Sequence, residues 1–169
     1  MLIRGKVVKI GDNIDTDLII PGRYLQITEI DELKEHVFED LGEVLREKIT
    51  PGTILVAGEN FGCGSSREQA PRVLKAAGVS AIVAKSFARI FLRNSINIGL
   101  PIFVSPEVVE NVLERTEVEI DTQKGVINVL HDDKNYYFDP YPEFLEELVG
   151  MGGLVNFVKS QVNKHKRRP

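Results

Sequence analysis

The residues of this chain best suited to chemistry lie in one run, Asn60-Phe61-Gly62-Cys63-Gly64-Ser65-Ser66-Arg67-Glu68. Gly62 and Gly64 allow a tight bend and a close approach of backbone to a ligand. Arg67 offers a planar fork of donors that matches a carboxylate, and Ser65 and Ser66 put hydroxyls beside it. A helical pattern follows, and the first turn of a helix presents unpaired N–H groups and a partial positive charge. Together these groups suit a bound anion with a hydroxyl next to it. The run lacks the lysine of a phosphate-binding P-loop and the glycine spacing of a dinucleotide fingerprint. Taken singly, each residue also has an ordinary structural reading. Ser65-Ser66-Arg67-Glu68 fits a capping box, and the glycines fit turns. Spacing alone therefore goes no further than an anion-binding loop at a helix N-terminus.

Such a loop needs a strand to deliver it and a helix to receive it. Thr53 to Ala57 reads as a short buried strand, and Ser66 to Ala77 as a helix closed by Gly78. A second strand, Ser80 to Ala84, and a second helix, Phe87 to Ile98, follow, then a third strand, Ile102 to Val104. This alternation predicts strands side by side with helices packed on them. Upstream, Leu2 to Ile10 has the pattern of a strand, Gly11-Asp12-Asn13 marks a turn, and Glu29 to Arg46 is helical in character, weakened by Gly42. Downstream, Glu117 to Asp121 and Gly125 to Leu130 flank a hairpin signal, and Tyr136 to Phe138 is a candidate partner strand. Helices over Tyr141 to Leu148 and Gly153 to Lys166 close the chain. The expectation is one α/β domain over residues 1–169, with a mixed sheet and flanking helices. Val73, Leu74, Ile90 and Phe91 are core candidates.

The bulk composition narrows the function classes. With 21 Lys and Arg against 25 Asp and Glu, the net charge is −4, which argues against a nucleic-acid binder. The exception, His165-Lys166-Arg167-Arg168-Pro169, reads as a solvated end. No apolar stretch approaches the length of a membrane span, and the start runs straight into a strand pattern rather than a signal peptide. A cytoplasmic location is the default expectation. The single cysteine, Cys63, excludes an internal disulfide framework and supplies too few thiols for a cysteine-ligated iron–sulfur cluster.

The string NFGCGSSREQAP at residues 60 to 71 resembles the signature of the small subunits of isopropylmalate dehydratases and homoaconitases, in the aconitase superfamily. Two further segments match in the same order: GDNIDTDLIIP at residues 11 to 21, and KSFARIFLRNSINIGLP at residues 85 to 101. The resemblance spans roughly residues 3 to 155. It implies the swivelling β/β/α domain of aconitase, made as a separate chain. It also implies a large-subunit partner, in a heterodimer or heterotetramer, that carries a 4Fe–4S cluster. No metal site is expected in this chain. The implied reaction is dehydration and rehydration of a small hydroxy-dicarboxylate. By match to the motif, Ser65 would be the base, acting as an alkoxide. Arg67, helped by Ser66, would clamp a substrate carboxylate, and Asp17 would join the hydrogen-bonding network of the catalytic groups. Cys63, between Gly62 and Gly64, would be a loop residue near the site.

The resemblance further implies that Tyr24, Leu25, Gln26 and Ile27 belong to the loop that reads the variable group of the substrate. Gln26 stands where the homoaconitase-like pattern has an arginine for an extra carboxylate, and a neutral amide cannot replace that fork. Apolar Ile27 suits a branched alkyl group, as in isopropylmalate. A homoaconitate-type, methylmalate or dimethylmalate substrate stays open, as does a non-catalytic anion-binding module. The loop over residues 22 to 30 is expected to be mobile or poorly packed in the isolated chain. Asp12 and Asp15 are turn formers or site residues. Arg89 and Arg93 solvate a face or reach the site. His36, His131 and His165 fall outside all three matched segments and carry no assigned chemistry.

Overall fold

Two strands, β2 (Thr53–Ala57) and β3 (Val79–Ala84), are buried along almost their whole length. Their continuous apolar sequences match that burial, because a parallel strand covered on both faces has no polar alternation. In the computed structural model, which describes residues 1–166, they lie at the centre of the parallel half of a mixed sheet. Among the described residues seven strands form this sheet, in the order β4-β3-β2-β1-β5-β6-β7. The others are β1 (Leu2–Lys9), β4 (Ile102–Val104), β5 (Glu117–Asp121), β6 (Val126–Val129) and β7 (Asn135–Tyr137). β1 serves both halves. Its first part, Leu2 to Lys6, pairs antiparallel with β5, and Val7 to Lys9 pair parallel with β2.

Helices α4 (Gln69–Ala76) and α5 (Arg89–Asn97) form the crossovers from β2 to β3 and from β3 to β4. One face of the sheet contributes Val8, Leu55, Ile82 and Ala84 to a core that also holds Ile19, Phe38, Val73, Leu74 and Phe91. The other face contributes Val7, Ile54, Val56 and Val83 to a second core with Val108, Val112 and Phe138. Val108 belongs to α6 (Pro106–Asn111), a short helix with Pro106 at its start. Proline fits there because that first N–H has no helical partner. The chain ends in α7 (Glu143–Gly150) and α8 (Leu154–Lys166). The side chains of the basic end, from His165 to Pro169, lie outside the described residues.

The structure corrects three expectations and adds two short helices. The helix read over Glu29 to Arg46 is broken into α2 (Ile30–Leu33), 3-10 turns at Lys34–His36 and Glu39–Leu41, and α3 (Glu43–Arg46). The breaks fall at Phe38 and Gly42, whose φ angles are 54° and 96°. Phe38 gives up helical geometry to bury its ring completely and to donate its N–H to the Ile19 carbonyl at 3.0 Å. The helix read from Ser66 starts at Gln69, and its N-cap residue Glu68 makes no side-chain cap bond, so no capping box forms. Ile90 is 53% exposed rather than core, whereas Val73, Leu74 and Phe91 are buried. Finally, α6 was not read from the sequence, although Ser105-Pro106 is a start signal for it. A shorter helix, α1 (Thr16–Ile19), interrupts the first loop.

Candidate active site

Three loops leave the C-terminal ends of adjacent parallel strands β1, β2 and β3, the edge at which open α/β sheets bind ligands. Backbone bonds knit them together. Gly58 N–H donates to Gly11 O (3.1 Å), Asn13 N–H to Glu59 O (2.8 Å), Gly62 N–H to Ile14 O (2.8 Å) and Thr16 N–H to Cys63 O (2.9 Å). On the other side, Phe61 N–H donates to Ser86 O (3.0 Å) and Ala88 N–H to Phe61 O (2.9 Å). These bonds tie Phe61 and Cys63 to the neighbouring loops on either side of a turn at Gly62, so the chain is not free to start its helix there, and it starts at Gln69.

Phe61 anchors the glycine loop. Its ring is fully buried and lies edge-on to Phe87 and Phe91. Gly62 sits against that anchor with φ of 77°, and a Cβ there would come within 2.1 Å of the Phe91 ring. Glycine is therefore required twice over, by conformation and by space. Asp12 and Asp15 have structural work. The Asp12 carboxylate accepts from Glu59 N–H at 2.7 Å, and Asp15 caps α1 by accepting from Leu18 N–H at 2.8 Å.

This framework sets Ser65 and Ser66 on the exposed side of the loop, with Cys63 half-buried behind them. The buried Thr16 hydroxyl donates to Ser65 O at 3.0 Å and lies 3.4 Å from Ser65 Oγ. Arg67 reaches back to the first loop. Its Nη1 donates to Asp17 Oδ1 at 2.6 Å and to Ile20 O at 3.2 Å. The Arg67 side chain is only 15% exposed, while Asp17 is 60% exposed, so the pair lies at the surface edge and not inside the core. The hydrogen bond from Arg67 holds the Asp17 carboxyl below its ordinary range, so Asp17 is ionised at neutral pH. Arg67 was read from the sequence as a clamp for a substrate carboxylate. It is engaged by Asp17, through the Nη1 end of its fork.

The segment from Gly22 to Ile27 begins at this pair. Gly22 N–H donates to Asp17 Oδ1 at 3.2 Å, and a Cβ on Gly22 would lie 3.4 Å from Arg67 Nη2. The loose packing expected of this segment is not observed. Tyr24, Leu25 and Ile27 are half-buried and pack against the core, and Gln26 is exposed between them. Tyr24 turns away from Arg67. Its ring stacks on His36 at 3.7 Å, and its hydroxyl donates to Glu39 Oε1 at 2.6 Å. Packing overrode loop character here because three of the four residues are large and apolar or aromatic.

Arg89 and Arg93 are exposed on α5, and the structure gives them no role at the site. Sequence reasoning missed Thr16 and the pairing of His36 with Glu39. Thr16 lies inside the first matched segment, between two aspartates, and could have been found there. A 4Fe–4S cluster needs several thiolates. This chain has one cysteine, and among the described residues no group of three His, Cys, Asp or Glu side chains could hold a metal. Its own residues do not fit the cluster.

The aconitase C-terminal domain model matches residues 4–107, more than half of the chain and all three loops of the site. The 3-isopropylmalate dehydratase small subunit of Thermodesulfovibrio yellowstonii is 52% identical over 163 residues, 96% of this chain and 97% of that protein. The chain belongs to the 3-isopropylmalate dehydratase small-subunit family. The corresponding protein of Nautilia profundicola is 53% identical and is covered to 99%, with 98% of this chain aligned. A crystal structure of a 3-isopropylmalate dehydratase from Methanocaldococcus jannaschii superposes with a TM-score of 0.92 at 40% identity, covering 100% of both chains. The fold is therefore that of the aconitase C-terminal domain, with α7 and α8 included in the common structure. No helix among the described residues is long and apolar enough to cross a membrane.

Proposed function

We propose that this chain is the small, proton-transferring subunit of a hydro-lyase that interconverts 2- and 3-isopropylmalate, and that it works with a large subunit carrying the 4Fe–4S cluster. The observation that carries this reading is the convergence of Ser65, Thr16, Arg67 and Asp17 on one open edge. Arg67 and Asp17 are 50 residues apart in sequence yet 2.6 Å apart in space. Family membership over nearly the full length of the relatives supports the hydro-lyase reading.

The roles are those that the family resemblance implies, and the geometry is compatible with them. Ser65 Oγ takes the proton from the carbon beside a substrate carboxylate. A serine alkoxide is intrinsically too basic to persist in water, so it needs fixed positive charge and donors in a site closed to solvent. Thr16 Oγ1, 3.4 Å from Ser65 Oγ, supplies a donor once its single O–H turns from Ser65 O, and the Arg67 guanidinium, held at the same open edge by Asp17, brings the fixed charge. Arg67 spends Nη1 on Asp17 and Ile20, which leaves its Nη2 and Nε hydrogens for the carboxylate. Asp17 is a positioning residue that fixes the fork. Departure of the hydroxyl is assigned to the large subunit, whose cluster would act there as a Lewis acid. Half-buried Ile27 suits a neutral branched alkyl group, and exposed Gln26 offers no charge for a further carboxylate.

The test is to assemble the chain with its large subunit without oxygen and compare turnover of isopropylmalate, homoaconitate, citraconate and dimethylmaleate. Isopropylmalate should be preferred. Ser65→Ala should lower kcat by about 10²–10⁴-fold, the range for loss of a general base. Arg67→Lys should raise KM by roughly 10-fold or more, since a charge-assisted pair is lost. Full activity in Ser65→Ala would remove the proposed base. Preference for another acid would keep the mechanism and change the substrate. No turnover by a verified, cluster-loaded complex would reject the enzyme reading.

A further inference from the structure

Residues 36 to 40 lie outside every matched motif, yet they hold a polar cluster that binds Arg23 and Tyr24. Glu39 receives three donors: Tyr24 Oη at 2.6 Å, His36 Nδ1 at 2.6 Å and Arg23 Nη2 at 3.0 Å. Arg23 also donates to both oxygens of Asp40, at 2.6 and 3.1 Å. Its guanidinium lies over the Tyr24 ring, 4.8 Å from the centroid, and Tyr24 in turn stacks on His36. Arg23 and Tyr24 are therefore both turned back onto residues 36 to 40.

The residues that follow hang from this anchor. Ile27 N–H donates to Tyr24 O at 2.9 Å, and Leu25 N–H to Gly22 O at 3.2 Å. At the other end, Gly22 N–H rests on Asp17, the carboxylate that holds Arg67. The segment from Gly22 to Ile27 is thus suspended between two carboxylates, Asp17 on the side of the chemistry and Glu39 on the far side. We propose that Glu39, together with His36 and Asp40, positions the substrate-reading segment and so sets substrate preference without touching the substrate. This inference rests on the reading that Gln26 and Ile27 face the variable group.

A support of this kind acts through small displacements. Selectivity between acids that differ by one or two methyl groups depends on close packing and is worth only about 10–200-fold. A segment freed to shift by a fraction of an ångström loses much of that. The proton transfer should survive, because Ser65 and Arg67 are held by Thr16, Asp17 and Ile20, not by Glu39.

The experiment uses the assembled, cluster-loaded enzyme with Glu39→Gln, Tyr24→Phe and Gln26→Ala, and measures kcat and KM for isopropylmalate and a smaller methylated malate. Glu39→Gln should keep kcat within about twofold, raise KM for isopropylmalate about fivefold, and narrow the preference by a similar factor. Tyr24→Phe keeps the stack on His36 and loses only the hydroxyl, so it should move both quantities the same way by less. This milder variant serves if Glu39→Gln folds poorly. A shift in preference for Gln26→Ala with none for Glu39→Gln or Tyr24→Phe would overturn the inference and leave the substrate reading standing. No shift in any of the three would overturn both. A fall in kcat that merely tracks the folded fraction, at unchanged KM and preference, would reduce Glu39 to a structural role and also overturn it.

Discussion

A methyl group at position 62 would meet the Phe91 ring at 2.1 Å, and the backbone there has φ of 77°. At position 64 the backbone is similar, with φ of 86°, but the nearest atoms to a Cβ are 3.4 Å away. Gly64→Ala should therefore cost only the left-handed strain, about 1–2 kcal/mol. Gly62→Ala adds a clash with a buried ring and should lower the urea midpoint further, with a loss of turnover in the assembled enzyme. Equal effects would show that Phe91 yields easily. Glu39 gives a second residue-scale prediction. The hydrogen bonds from Tyr24, His36 and Arg23 hold its carboxyl down to about 2, against 4.5 in the unfolded chain. Its stabilisation is thus present above pH 4.5 and is lost as pH falls towards 2. The gap in urea midpoint between wild type and Glu39→Gln should be constant near neutral pH and close across that window. A gap that persists at pH 2 would mean that the charge is not the source. At this scale the glycine loop was legible from its residue types. The direction of Tyr24 was not, because its partners lie 12 and 15 residues further on, in a segment that reads as continuous helix.

At the scale of elements, the strands were legible wherever burial is two-sided or strictly alternating, as in β2 and β5. The two misplaced helices share one cause: a tertiary backbone bond outcompeted local propensity. Phe38 bonds to Ile19, and Gly62 and Cys63 bond to Ile14 and Thr16, so helices that the sequence supports locally are broken or delayed. The edge strand β4 shows the same competition in reverse. Its Ile102 N–H, which has no strand beyond it, donates to Tyr141 Oη at 2.9 Å, and the same hydroxyl donates to Ile102 O. Burial pushes the Tyr141 hydroxyl up to about 12, so it stays a neutral donor throughout the ordinary pH range. Tyr141→Phe keeps the ring against Phe103 and leaves both Ile102 groups unpaired. It should destabilise by about 1–3 kcal/mol, the usual cost of an orphaned buried group, and speed amide exchange at Ile102. Unchanged stability would mean that water replaces the hydroxyl at that edge.

For the molecule as a whole, one sheet must bury two faces. Ile54 and Leu55 are neighbours on β2, both fully buried, and they point into different cores. Tyr24 packs against the core of Leu55, and Tyr141 against the core of Ile54. If the seven strands act as one body, the two cores cannot melt separately, because β1 and β2 are shared by both. Leu55→Ala and Ile54→Ala should then each cost about 2–5 kcal/mol and lower the same single transition. Far-UV circular dichroism and the near-UV signal of the tyrosines should give coincident midpoints in both variants. Were the antiparallel half, β5 to β7, an independent unit, Ile54→Ala would split the curve and Leu55→Ala would not. The point bears on function, since the three site loops hang from β1, β2 and β3 alone. A single transition would mean that the geometry joining Asp17 to Arg67 is guaranteed by the whole sheet, including strands that never approach the site.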